Sequence, residues 1–251
     1  MHLFSDISKI LITLGTSNGQ NHPETELIDL NGNCGAALPN YPIAAHGATG
    51  VYLNNTVIIC ASPPAGCYHL QRGSSSFEFL GNMTEKRYLA KSTVVGDKMW
   101  ITGGQWGDKN KLKSTEYIDS SGITTPGPDL PEGMYLHAII NINITTSILI
   151  GGIIGSYDNS DLTYFYNHDT KEWSTGPNLL SGTSSHATGT VIDHVTHQQH
   201  IVVVGGPSGY GGSDYVQILF HGDNAWTKGI WNTYLYSYNV KYLFDVHLGR
   251  K

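Results

Sequence analysis

The chain has 251 residues, 39% of them hydrophobic, enough to bury a substantial core. Only 14% are charged and the net charge is −6, which argues against a general nucleic-acid or anionic-membrane surface. No apolar run is long enough for a membrane-spanning helix, the 30 glycines suit a turn-rich chain, and no segment shows a sustained, capped 3.6-residue apolar stripe, so an all-β chain with almost no helix is expected.

The start, Met1 to Asp6, has neither the basic residues nor the apolar stretch of a secretory leader. The expected compartment is cytoplasmic if the chain is complete and secreted if its beginning is missing. The first apolar run, Ile10 to Leu14, ends at Gly15, and Glu26 to Leu30 follows as a partner strand. Leu38-Pro39 then marks a turn before the small segment Ala45-His46-Gly47-Ala48. The second copy runs from Val57 to Ser62 and Cys67 to Leu70, and leads to Arg87-Tyr88-Leu89-Ala90.

In the third copy Met99 to Thr102 ends in Gly103-Gly104, Thr115 to Ile118 follows, and the turn Gly127 to Pro131 precedes Tyr135-Leu136-His137-Ala138. The fourth has Ser147 to Ile150, Gly151-Gly152, Leu162 to Tyr166, Trp173, the turn Gly176 to Leu179, and Ser184-Ser185-His186-Ala187. The fifth has His200 to Val204, Gly205-Gly206, Tyr215 to Phe220 and Trp226. Gly104 to Gly152 spans 48 positions and Gly152 to Gly206 spans 54, so one supersecondary unit recurs. Continuous apolar runs such as Ile201 to Val204 suit a strand buried on both faces. Trp173 and Trp226 are expected in the core, and His46, His137 and His186 at one shared position of the repeat.

Several short motifs have bland explanations. Gly15-Thr16-Ser17-Asn18-Gly19 matches a hydrolase nucleophile elbow, but a strand follows where that motif needs a helix. His194, His197 and His200 are spaced like metal ligands, yet they straddle one hairpin, and a solvated loop is favoured. Gly205 to Gly212 lacks the helix N-terminus of a phosphate cradle. No metal or cofactor is expected. Three cysteines do not make a disulfide framework. A hairpin puts Cys60 and Cys67 within reach of a bond, although two small buried thiols are favoured. The sequons at Asn54, Asn82 and Asn143 are no more than chance supplies.

Taken together, the Gly-Gly strand ends, the Arg or His entry segments, the Pro-Leu turns and the pair Tyr166 and Trp173 resemble the kelch repeat family, in particular kelch-like proteins of invertebrates. The likeness covers residues 10 to 228. It implies a kelch-type β-propeller of about five four-stranded blades, as one domain over 8–240 with a tail at 241–251. The first copy lacks an inner strand, and Tyr234 to Val240 is expected to supply it and close the ring; an open fragment is the alternative.

The family resemblance also implies a binding face built from the loops between second and third strands. Large aromatics there have no evident core to fill. The expected partner-binding residues are Arg87, Trp106, Tyr135, Tyr157 and Tyr210. Arg87 would contact a carboxylate or carbonyl, and the aromatics would act as anchors. The expected role is a non-catalytic, monomeric module for a protein or peptide ligand. A carbohydrate binder or an oxidase-type propeller enzyme is the alternative.

Overall fold

The computed structural model describes residues 2–3, 9–17, 19–29, 38–62, 64–107, 110–193, 195–207, 216–229 and 239–243. Five antiparallel sheets carry the repeat, and no helix occurs among the described residues. Blade I comprises β1 (His2–Leu3), β2 (Lys9–Ser17) and β3 (Gln20–Asp29). Blade II comprises β4 (Thr49–Leu53), β5 (Thr56–Ala61), β6 (Gly66–Gln71) and β7 (Glu78–Asn82).

Blade III has β8 (Lys91–Val95) and β9 (Lys98–Thr102), then a small hairpin of β10 (Gln105–Trp106) and β11 (Asn110–Lys111), then β12 (Thr115–Asp119) and β13 (Thr124–Pro126). Blade IV repeats that plan with β14 (Ala138–Asn141), β15 (Thr146–Ile150), the small hairpin β16 (Ile153–Ile154) and β17 (Asp158–Asn159), β18 (Thr163–Asn167) and β19 (Glu172–Thr175). Blade V has β20 (Ala187–Ile192), β21 (Gln199–Val204), β22 (Val216–Leu219) and β23 (Thr227–Gly229), and β24 (Asn239–Leu243) lies beyond β20 as a fifth strand. This is a β-propeller fold.

Ladder register shows the repeat directly. Thr49, Cys60 and Cys67 lie opposite one another across three strands of blade II. Lys91, Thr102 and Thr115 do so in blade III, Ala138, Ile150 and Thr163 in blade IV, and Ala187, Val204 and Val216 in blade V. Two residues before each first-strand residue, Gly47, Leu89, Leu136 and Ser185 all take positive φ, between 51° and 63°. Only the glycine advertises that left-handed turn; the other three adopt it against local preference, which requires the surroundings to enforce it.

Residues 1–135 and 136–249 form two compact units. In the first, the Leu89 amide donates to the Gly47 carbonyl at 2.8 Å, and the Gly104 amide to the Met134 carbonyl at 2.8 Å. In the second, the Ser185 amide donates to Leu136 at 2.9 Å, and Gly152 to Thr183 at 2.8 Å. Both units thus stitch one blade's entry segment to the next blade's at matching positions. All six glycines of the three Gly-Gly pairs have positive φ, which explains their recurrence.

Strands buried on both faces fill each unit. Along β5, Val57 and Ile59 pack with Tyr41, Leu70 and Phe77, while Ile58 and Cys60 pack with Met83, Met99 and Ile118. Along β21, Ile201 and Val203 join Ile148, Leu179 and Trp226, while Val202 joins Val191 and Ile218. The Gly-Pro turns are pinned by threonine: Thr115 Oγ1 donates to the Pro128 carbonyl and Thr163 Oγ1 to that of Pro177, both at 2.7 Å.

Four expectations change. Cys60 and Cys67, directly opposed across β5 and β6 with Cα atoms 4.0 Å apart, are joined as a disulfide rather than left as thiols. The first strand of blade I is not missing, and residues 234–238 of the segment expected to supply it lie outside the described residues. β1 pairs with β2 and fills that place from nearby in the chain, whereas β24 pairs with β20 of blade V. His46 lies two register positions before His137 and His186; it is exposed while they are 1% and 2% exposed. Trp226 is core at 3% exposure, but Trp173 is only half-buried, tilted against Tyr166, its direct cross-strand partner, at 4.8 Å.

Candidate binding surfaces

Trp106 sits on the small hairpin β10–β11, opposite Asn110. The hairpin is tied to the entry segment of its own blade, because Tyr88 and Gln105 exchange both backbone hydrogen bonds, at 3.0 and 2.9 Å. Trp106 is half-buried, and Lys86 Nζ lies 5.2 Å from its ring centroid, a cation–π contact at a solvated surface. Lys86 is exposed and Tyr88 half-buried; the His46 ring stands edge-on to Tyr88 at 6.0 Å, and His46 Nδ1 bonds Asn21 Oδ1 at 3.0 Å. An aromatic and cationic surface therefore forms in the first unit from Lys86, Tyr88, Trp106 and His46. Lys86, Tyr88 and His46 were not among the expected site residues. Their common signal is position: His46 and Tyr88 occupy the same register place just before the left-handed residue.

Two expected contacts in this unit serve the fold instead. Tyr135, at the same register place as Tyr88, is 5% exposed, with Lys111 Nζ 6.0 Å from its ring. Arg87 is 2% exposed. Its Nε donates to Glu116 Oε1 at 2.9 Å, and Nη1 donates to the carbonyls of Gly103 at 2.7 Å and Ser114 at 2.9 Å. Nη2 reaches Ser114 Oγ at 3.2 Å and Glu85 at 3.4 Å. The expectation of a guanidinium presented to a ligand gives way to one spent inside blade III, because Glu116 is equally buried and needs a counter-charge.

In the second unit Tyr157 occupies the corresponding hairpin, β16–β17, beside the ladder pair Ile154 and Asp158. It is 64% exposed with φ 126°, an uncommon conformation for a side chain of this size, and it follows Gly155 at φ 54°. Trp106 and Tyr157 thus lie on corresponding hairpins between second and third strands, although in ladder register it is Ile154 that matches Trp106 and Tyr157 belongs to the turn. Tyr210 lies outside the described residues.

The remaining motifs resolve simply. Ser17 ends strand β2 and β3 begins at Gln20, so the G-x-S-x-G segment is a strand-to-strand connection. His194 lies outside the described residues. Among those described, no group of three or more His, Cys, Asp or Glu is placed to hold a metal. His197 is exposed, whereas His200 is 4% exposed and its Nδ1 accepts the His221 amide at 2.9 Å.

Burial holds His200 below the ordinary imidazole range, with the nearby Asp193 carboxylate opposing. A lowered folded value means that the unfolded chain takes up a proton first. Stability should be flat above about pH 6.5 and decline as pH falls below it, towards the folded value. Urea midpoints measured across that range test this; the decline should shrink in His200→Gln, and an unchanged decline would assign it to other groups.

No family model matches the chain, and no curated protein matches it. Among solved structures it is similar to YjhT, a kelch-type β-propeller, with a TM-score of 0.62 and 17% identity, covering 77% of this chain and 67% of that one. No helix among the described residues is long and apolar enough to cross a membrane.

Proposed function

We propose that the chain is a kelch-type propeller acting as a monomeric, non-catalytic module that captures a protein or peptide segment through hairpin loops between its second and third strands. The carrying observation is the placement of Trp106 and Tyr157 at matching hairpins, with Lys86 on the Trp106 ring and Tyr157 largely solvated. Trp and Tyr give large, rigid contact area for little lost conformational entropy, and they dominate binding hot spots. The kelch assignment draws on the Gly-Gly strand ends, the Tyr166 and Trp173 cross-strand pair, and the likeness to YjhT. Arg87 and Tyr135 drop out of this reading, and Lys86 and Tyr88 enter it.

The test is selection of peptide ligands from a displayed library, followed by titration against Trp106→Ala and Tyr157→Ala. An anchor of this kind is worth ~2 kcal/mol, so at least one variant should bind about thirtyfold more weakly with unaltered thermal unfolding. Unchanged affinity in both, or ligands found only on a glycan array, would refute the peptide-binding reading.

A further inference from the structure

We propose that Asn143 carries an N-linked glycan, and that the chain accordingly matures in an oxidising, glycosylating compartment. In the sequence Asn143-Ile144-Thr145 is one sequon of three and says little by frequency. The structure separates it from the others. It forms the tip of the β14–β15 hairpin, where Asn143 is exposed and Ile144 is 96% exposed.

The Thr145 amide and hydroxyl both donate to Asn143 Oδ1, at 2.8 and 2.9 Å. These bonds occupy the carboxamide oxygen, and among the described residues Asn143 Nδ2 has no hydrogen-bond acceptor. Two donors on the oxygen also draw electron density from the nitrogen, which makes its N–H easier to deprotonate. At the other two sites the threonine hydroxyl is used elsewhere. Thr84 Oγ1 donates to buried Glu116 at 2.7 Å, and Thr56 Oγ1 to the Asn54 backbone carbonyl at 3.4 Å.

The independent observation is the bond between Cys60 and Cys67, whose residues are 1% and 0% exposed. A structural disulfide sealed into a core forms and persists where folding takes place under oxidising conditions, the same setting in which asparagine is glycosylated. The co-reactant is an oligosaccharide linked through pyrophosphate to a polyisoprenoid lipid. Asn143 Nδ2 attacks the anomeric carbon and loses one proton; the N–C bond forms, the C–O bond to pyrophosphate breaks, and the lipid pyrophosphate leaves.

The test uses protein isolated from its own cells. The peptide spanning Asn143 is read by mass spectrometry before and after an amidase that releases N-glycans and converts the asparagine to aspartate. A glycan at Asn143, at higher occupancy than at Asn54 or Asn82, is the expected result. A secreted Thr145→Val variant should lose one glycan-dependent gel step, and Thr145→Ser should keep it. An unmodified Asn143 in the native protein, or Cys60 and Cys67 recovered as thiols, would overturn the proposal.

Discussion

Arg87→Ala should destabilise the protein by ~3–5 kcal/mol, because it strands the Glu116 carboxylate in the core. Glu116 Oε2 also accepts the Thr84 amide and hydroxyl, both at 2.7 Å, so the carboxylate cannot swing out to water without releasing the segment that leads into blade III. Blade V solves the same problem with neutral groups. Gln217, in the register place of Glu116, accepts the Leu180 amide at 2.7 Å. Thr183, in the place of Arg87, donates to the Gly205 carbonyl at 3.1 Å, as Arg87 does to Gly103 at 2.7 Å.

The double variant R87T/E116Q therefore installs a latch that the fold already uses. It should recover most of the loss, leaving a deficit of about 1–2 kcal/mol, since replacing a whole buried pair costs far less than halving it. Urea denaturation of the two variants is the measurement. If Arg87→Ala cost no more than an ordinary surface change, within about 0.5 kcal/mol, the guanidinium would not be holding Glu116 in the core.

Gly152→Ala should be the second severe change. At φ 98° an added Cβ would lie 2.7 Å from His137 Cβ and 3.0 Å from the His137 backbone nitrogen. Its amide is bonded to Thr183, so the turn has little room to move without breaking the connection to the next blade's entry segment. Left-handed strain and overpacking together predict a loss of ~3 kcal/mol or more. Gly107 supplies the comparison: φ is 67° but an added Cβ meets nothing within 4 Å, so Gly107→Ala should cost only about 1 kcal/mol. Equal losses at the two positions would show that backbone strain alone, not contact with the entry segment, sets the demand for glycine.

Much of this architecture was legible because it repeats. The Gly-Gly pairs, the apolar second strands and the Gly-Pro turns announced themselves through spacing, and the second and third strands of the blades fall where they were expected. The misreadings share a cause: a residue's type was taken for its environment. Arg87 looked like a surface charge, and nothing in its neighbours reveals that Glu116, 29 positions on, is buried against it. Tyr135 looked like a loop aromatic, although the same register place is half-buried in Tyr88 and exposed in His46.

The left-handed turn at Leu89, Leu136 and Ser185 was invisible because only Gly47 has the residue expected there. The Cys60–Cys67 bond depended on exact ladder register, which a hairpin of unknown loop length leaves open by a residue or more. Within the candidate surface, Trp106 and Tyr157 could be found by asking which large aromatics lie in glycine-rich loops. Lys86 could not, since its contact with Trp106 is made only when β10 folds back on the entry segment.

Amide hydrogen exchange at Leu89 and Ser185 tests the account most directly, because their N–H groups make the equivalent blade-to-blade bonds to Gly47 and Leu136. Both should be protected to the same order as Ile101 and Ile150 in the buried second strands. Exchange at those two amides as fast as at the solvated hairpin tip around Ile144 would mean that the blades are not stitched at a repeated position, and the repeat would lose its structural basis.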